Sequence, residues 1–165
     1  MNITIRPQRP SDANRFFEIL NNDNFVYFGA RPKTLKEEIK FLKKNTAWRK
    51  NNFAHNFSII LGKTVVGACG IHINQHRTFI GEIGYFVDEQ YWGKGIATQA
   101  VKFLEKLGFG KLKLNRIEIL MDPRNKASEK VAIKCGYKKE GLMKKVVFSK
   151  RTNTYRDCYL YAKVK

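Results

Sequence analysis

Residues 82–101, EIGYFVDEQYWGKGIATQAV, change character halfway along. Glu82 to Val87 carries aliphatic and aromatic side chains at strand spacing. From about Gly95 to Phe109, Ala97, Ala100, Val101, Leu104 and Leu107 fall on one helical stripe. "RIEILM", residues 116–121, returns to a strand pattern. A strand, a helix and a second strand within residues 82–121 make a crossover of the length that joins parallel neighbours, so the fold class is α/β with a mixed sheet.

Outward from this unit the same periods organise the chain. Upstream, Phe53, His55, Phe57, Ile59 and Leu61 alternate with smaller or polar residues, Gly62 and Lys63 make a tight hairpin, and "TVVGACGIHI" follows. Together with "TFIGEIGYFV" these strands have connections too short for crossovers and form an antiparallel meander. "NITIRP" is a short strand stopped by Pro7, and Ser11 and Asp12 offer capping oxygens to a helix over "ANRFFEILNN". A second helix is expected from about Leu35 to Thr46, with Leu35, Ile39 and Leu42 on one side. Downstream, "SEKVAIKC" reads as a short helix ended by Gly136, and "YKKEGLMKKVVFSK" and "TYRDCYLYAKV" supply two more strands. With no repeat, low-complexity run or Pro/Gly/Ser linker, residues 1–165 read as a single domain.

Composition bounds the function. The chain is 43% hydrophobic and 13% aromatic, as expected of a globular protein with one core and one site. No run approaches the roughly 18 apolar residues that span a bilayer, and "MNITIRPQRP" has no apolar secretory core, so a soluble cytoplasmic protein with no membrane partner is expected. Cys69, Cys135 and Cys158 lie far apart without a CxxC pair and read as reduced, packed thiols. His55, His72 and His76 have no carboxylate or thiol at a spacing that would complete a metal site, so no metal is expected. The extreme feature is charge: 32 Lys plus Arg against 14 Asp plus Glu leave +18. Such a field draws in nucleic acid, a ribosome surface or a phosphorylated cofactor; a compositional bias spread over a solvated surface is the plainer alternative.

Three phosphate-binding readings compete for Gly93–Thr98. A Walker A loop requires GxxxxGK, but the residue five before Gly93 is Asp88. A dinucleotide fingerprint requires a third glycine directly after its strand, whereas here Thr98 stands in that place and "DEQYW" intervenes after Val87. The third reading is a loop whose successive backbone N–H groups converge on a pyrophosphate at a helix start, where unpaired amides and the positive end of the dipole favour an anion. Gly93 and Gly95 remove side chains that would hold phosphates off the main chain, and Lys94 adds a charge at the mouth. Taken alone, the stretch also suits a glycine turn that binds nothing.

Three segments in order, "EIGYFVDEQYWGKGIATQAV", "NRIEILMDPRNKASEKVAIKCGYKKEGLMK" and "YRDCYLYAKV", resemble the GNAT superfamily of acetyl-CoA-dependent N-acetyltransferases. The nearest likeness is to its RimJ/RimL type, which acetylates N-terminal amines of ribosomal proteins. The resemblance implies a central mixed, mostly antiparallel sheet of about seven strands flanked by about four helices. It puts the family's pyrophosphate loop, Q/R-x-x-G-x-G/A, on Trp92, Gly93, Lys94, Gly95, Ile96 and Ala97, with Thr98 following, and Trp92 departs from the usual Gln or Arg. It implies that the Val87 main chain holds the pantetheine arm of acetyl-CoA like an added strand, and that Asn125 faces the same arm, with Ser128 next in an N-x-x-S pattern. Asn125 and Ser128 equally suit a helix cap, and Lys130 and Lys134 suit either the nucleotide phosphates or a solvated helix face.

The implied reaction, attack of a neutral amine on a thioester, requires a base, an oxyanion donor and a proton for sulfur. A backbone N–H near Val87 is the donor by family likeness. Glu82 is the candidate base: Ile80, Glu82, Gly84 and Phe86 share a strand face, and Gly84 leaves a gap where a substrate or water approaches. A surface ion pair with a lysine is the alternative for Glu82, and Glu140 is a second candidate base. Where many relatives carry an acidic Tyr, four residues before the helix-ending glycine, this chain has Ala132; the substitute donor is Ser128, with Tyr137 behind it.

At pH 7, deprotonating an α-amine of pKa about 7.8 costs roughly 1 kcal/mol, against about 4.6 for a lysine near 10.4, so a single modest base suits N-terminal amines. A chain of charge +18 repels polyamines and aminoglycosides, and a peptide terminus on an RNA-rich particle gains. The rivals are a catalytically weak RNA- or ribosome-binding module and an acetyltransferase of a small-molecule or aminoacyl-tRNA amine. No helix-turn-helix or RNP motif accompanies the first of these. "NNDNFVYFGARPKTL" is the segment expected to shape the acceptor pocket.

Overall fold

The computed structural model describes residues 2–150 and 152–165. In chain order its elements are β1 (Thr4–Pro7), α1 (Ala13–Leu20), α2 (Leu35–Lys43), α3 (Asn45–Lys50), β2 (Ala54–Leu61), β3 (Thr64–Ile73), β4 (Ile80–Val87), α4 (Ile96–Glu105), β5 (Arg116–Met121), α5 (Lys126–Lys134), β6 (Lys138–Ser149) and β7 (Thr154–Val164). The strands form one sheet in the order β1-β2-β3-β4-β5-β7-β6. Only β4 and β5 run parallel, the pair joined by the crossover through α4, and the other neighbours are antiparallel.

Each face of the sheet carries its own apolar cluster. On one, α4 buries Ile96, Ala100, Val101 and Leu104 against Ile83, Val87, Ile117 and Ile119. On the other, Phe16, Ile19 and Leu20 of α1 and Leu42 of α2 cover Ala68 and Phe86. Each large apolar side chain so buried contributes about 1.5–3 kcal/mol. The period of two in β4 therefore sends Ile83 and Val87 towards α4, and leaves Glu82 and Gly84 on the side of Phe86.

Three expectations are adjusted. The helix expected over residues 35–46 is two: α2 ends at Lys43, and at the start of α3 Asn45 is buried, donating to Gln8 Oε1 at 2.7 Å and accepting from Asn56 Nδ2 at 2.8 Å. The helix expected to reach Phe109 is α-helical only to Glu105 and continues as a π-helical stretch over Lys106–Lys111. There Gly108 packs so closely that a Cβ would fall 2.7 Å from Ile117 Cδ1. Asp12 does not cap α1 through its side chain. Its buried carboxylate instead accepts from Arg6 at 2.7 and 2.8 Å, from Ser58 Oγ at 2.6 Å and from the Arg9 N–H at 2.9 Å, tying β1 to β2.

Candidate active site

Pairing between β4 and β5 stops at Glu82 opposite Glu118. Beyond that rung no β4–β5 pairs are formed, and a cleft of about 630 Å³ is lined by Ile83–Val87 of β4, Ile119–Met121 of β5, the loop before α4 and the first turn of α5. The cleft borders main-chain groups that a complete sheet would have used. Asp88 N–H bonds back to Val66 on the β3 side, so by alternation the N–H and C=O of Val87 and Tyr85 face the cleft.

At one end stands the N-terminus of α4. Gly93 and Gly95 have φ of +72° and +76°, and a Cβ at either would meet nothing within 4 Å. Glycine is therefore favoured there by the left-handed backbone, and the open space in front is what an approaching group would use. No side chain caps α4, whereas α2 and α5 are capped by Thr34 and Asn125. Gly93, Gly95, Ile96, Ala97 and Thr98 line the cleft, with Lys130 and Lys134 of α5 at its wall. Uncapped amides, a helix dipole and two lysines fit the phosphates of a CoA-type nucleotide. Lys94 departs from expectation: its Nζ donates to the Gln90 carbonyl at 2.9 Å and sits 5.1 Å from the Tyr91 ring centroid, so the ammonium is folded back onto the preceding turn.

Two further expectations are corrected at the strand end. The Val87 carbonyl accepts the Trp92 indole N–H at 2.6 Å, which leaves the Val87 N–H, rather than the whole peptide unit, for an incoming arm. Tyr137, read as standing behind Ser128, is a buried core residue that does not line the cleft, and its hydroxyl lacks a hydrogen-bond partner among the described residues. Burial and the nearby Glu105 carboxylate push its pKa up. Ser128 instead shares a hydrogen bond of 2.8 Å with the hydroxyl of Tyr85, whose pKa is pushed up to about 12, chiefly by burial. Asn125 caps α5 by accepting the Ser128 N–H at 3.1 Å while also lining the cleft, so capping leaves it positioned at the cleft wall.

Glu82 stands where β4 and β5 part. It is open to a recess of about 170 Å³, yet enough protein surrounds its carboxyl to strip much of its hydration, and this desolvation, followed by repulsion from Glu118, raises its pKa. Glu118 accepts from Arg116 Nε at 2.5 Å. Glu140, the second candidate base, is held by Arg116 at 2.9 and 2.5 Å, which keeps its pKa low, the opposite direction to Glu82.

The recess is lined by Tyr27, Gly84, Ser149, Arg156 and Cys158 as well as Glu82, and shares Ile83, Gly84 and Leu120 with the larger cleft. Its outer wall is the loop expected to shape an acceptor pocket. Phe25 and Phe28 hold that loop on Phe86, with ring centroids 5.9 and 5.1 Å apart, and Phe25 lies 6.1 Å from Trp92. Tyr85, Arg156 and the indole of Trp92 are site residues that sequence reasoning missed. All three lie within the motif segments quoted above, where Tyr85 and Arg156 are not singled out and Trp92 stands out only as a departure from the usual Gln or Arg.

Comparison with known proteins agrees with this geometry. Residues 2–138 match the Acetyltransferase (GNAT) domain. The Uncharacterized N-acetyltransferase p20 of Bacillus licheniformis is 37% identical over 114 residues, which cover 68% of this chain and 63% of that protein. The Probable N-acetyltransferase YjcK of Bacillus subtilis is 31% identical over 88% of this chain and 85% of its own. Among solved structures, the ribosomal-protein-S5-alanine acetyltransferase of Vibrio fischeri superposes with a TM-score of 0.87 at 25% identity, covering 99% of this chain and 93% of that one. The seven-stranded, mostly antiparallel sheet and the RimJ/RimL-type likeness of its motifs are thus borne out, and the chain belongs to the GNAT acetyltransferase family.

Proposed function

We propose that the protein transfers the acetyl group of acetyl-CoA directly to an N-terminal α-amine. The observation that carries this reading is the placement of Glu82 at the junction of the β4–β5 cleft and the acceptor recess, with a raised pKa. Acetyl-CoA supplies an activated thioester. The uncapped α4 amides and Lys130 would hold its phosphates, and Val87 and Asn125 would flank its arm.

Within that arrangement Glu82 takes a proton from the ammonium, directly or through water, so that the nitrogen lone pair is free to attack. The cleft-facing N–H of Tyr85, next towards Glu82 along β4, donates to the carbonyl oxygen as charge develops there. As the C–N bond forms and the C–S bond breaks, the nitrogen sheds its second proton and sulfur gains one from Ser128, whose hydroxyl, paired with Tyr85, is reprotonated by the proton the nitrogen releases. A base of moderately raised pKa favours an α-amine over lysine by the difference in deprotonation cost, about 3.5 kcal/mol. The likeness to a ribosomal-protein acetyltransferase and the charge of +18 support an acceptor presented as a peptide terminus.

The test is mass-spectrometric detection of acetylation on a short peptide with a free N-terminal Ser or Ala, beside the same peptide blocked at its terminus but carrying a lysine. The free terminus is expected to be modified and the lysine spared. Glu82→Gln is expected to lower the rate by about 10²-fold or more. Preferential lysine acetylation, or an undiminished Glu82→Gln rate, would overturn this assignment.

A further inference from the structure

The acceptor recess contains a cation that the transfer chemistry does not use. Arg156, on β7, has a side chain only 14% exposed and lines the recess with Glu82. Cys158, a buried thiol whose pKa is raised chiefly by that burial, lines the same recess. The nearby acid, Asp122, is already engaged: Arg124 donates to it through Nε at 2.9 Å, Nη2 at 2.7 Å and its own backbone N–H at 3.0 Å. Arg156 stands off from Asp122 at 3.8 Å, beyond a hydrogen bond. Its described hydrogen bonds are to neutral oxygens, the Val26 carbonyl at 2.9 Å and Thr152 Oγ1 at 3.3 Å, so Asp122 balances its charge only as a longer ion pair and no described carboxylate occupies its N–H donors at the recess.

A recess lined by both a carboxylate that accepts an amine proton and a guanidinium that favours an oxygen acceptor offers two chemically distinct groups to one ligand. We propose that Arg156 determines acceptor specificity by donating to the oxygen on the carbon next to the amine-bearing carbon, so that the acceptor is an α-aminoacyl compound rather than a simple alkylamine. This rests on the transferase reading above. The recognised unit, an amine and a C=O separated by one carbon, comes from two sources: a peptide terminus presents a carbonyl, and a free amino acid presents a carboxylate. A guanidinium serves both, and more strongly for the carboxylate.

The experiment measures kcat/KM for three acceptors that share one skeleton: an Ala-starting peptide, free alanine, and but-3-yn-2-amine, in which an alkyne replaces the carboxyl group and no oxygen remains. The variants are Arg156→Gln and Arg156→Lys, with acetyl-CoA binding by calorimetry as the check that each is folded. Because the readout is the change in the ratio on substitution, differences in amine basicity cancel. The wild-type preference for an oxygen-bearing acceptor over the alkyne is expected to fall by about 10- to 100-fold in Arg156→Gln, mainly through KM, with partial rescue in Arg156→Lys.

A role confined to tethering the Val26 loop would lower all three acceptors alike and overturn the proposal, as would an unchanged ratio. Acetylation of free alanine but not of the peptide, with the ratio still set by Arg156, would overturn the N-terminal reading and sustain this one. No turnover with any acceptor would overturn both.

Discussion

The hydroxyls of Tyr85 on β4 and Ser128 on α5 lie 2.8 Å apart across the cleft where β4 and β5 part. Neither alone is an obvious acid, since a serine hydroxyl is very weakly acidic and burial drives the Tyr85 hydroxyl up to about 12. As a pair, either can donate to sulfur while the other supports the oxygen left behind.

That sharing predicts coupled, modest effects. Tyr85→Phe and Ser128→Ala are each expected to lower kcat by about 10-fold or less, because a thiol of pKa about 8.5 is already a tolerable leaving group. The double variant is expected to lose little more than the worse single variant. A double-mutant cycle checks this, and strictly multiplicative losses would separate the two residues.

The Trp92 indole fixes the Val87 carbonyl at 2.6 Å while half of the side chain remains exposed. Trp92→Phe keeps the aromatic packing on Phe25 but removes the donor. The expected result is a roughly 5-fold weaker acetyl-CoA dissociation constant, the worth of about 1 kcal/mol, with kcat nearly unchanged. Titration calorimetry reads the first number and steady-state rates the second.

As the proposed base, Glu82 would act only when deprotonated, so kcat/KM is expected to rise with pH through its raised pKa. Desolvation is the larger cause and cannot be removed by one substitution, but the second cause, Glu118, can. Glu118→Gln removes a negative charge and leaves Arg116 with one carboxylate partner, Glu140, instead of two, and both changes favour the Glu82 carboxylate. His72 lies opposite Glu82 on β3, and desolvation lowers its pKa. The acid limb of the pH–rate profile is therefore expected to move to lower pH in Glu118→Gln. A limb that stays in place, or moves upward, would show that Glu118 does not act on the base.

Stability has its own titrating group in α2. Glu38 is buried, and desolvation raises its pKa from 4.5 to about 7. Protonated in the fold but ionised in the unfolded chain between these values, it contributes stability that is complete below the unfolded pKa and lost as pH rises through about 7. The loss across that window is on the order of 3 kcal/mol. Glu38→Gln is expected to flatten the dependence of thermal midpoint on pH between 5 and 8 and to exceed wild type at pH 8.

Much of this was legible in the sequence because it rests on local period and spacing. The crossover over residues 82–121 declares itself by a strand pattern, a helical stripe and a second strand, and the parallel β4–β5 pair follows from its length. Glu82 stands out because Gly84 leaves a gap beside a carboxylate on a strand otherwise apolar and aromatic. Arg156 does not stand out, because in "TYRDCYLYAKV" it reads as one more solvated cation; its burial arises only when β7 passes the end of β5 and the Val26 loop closes over it. Tyr85 likewise reads as a packing residue until α5 brings Ser128 to it. Lys94 reads as a phosphate ligand by position, and a local contact, the ring of Tyr91 with the Gln90 carbonyl, takes its charge elsewhere.

The most direct test of the account is calorimetric titration with acetyl-CoA of the wild-type protein and of Gly95→Glu, which places a bulky anion at the uncapped start of α4. The account predicts a wild-type dissociation constant of about 1–10 μM, weakened by about 100-fold or more in a variant that still unfolds cooperatively. Equal binding by the two proteins, or no binding by the wild type, would contradict the assignment of the Gly93–Thr98 loop as the phosphate cradle.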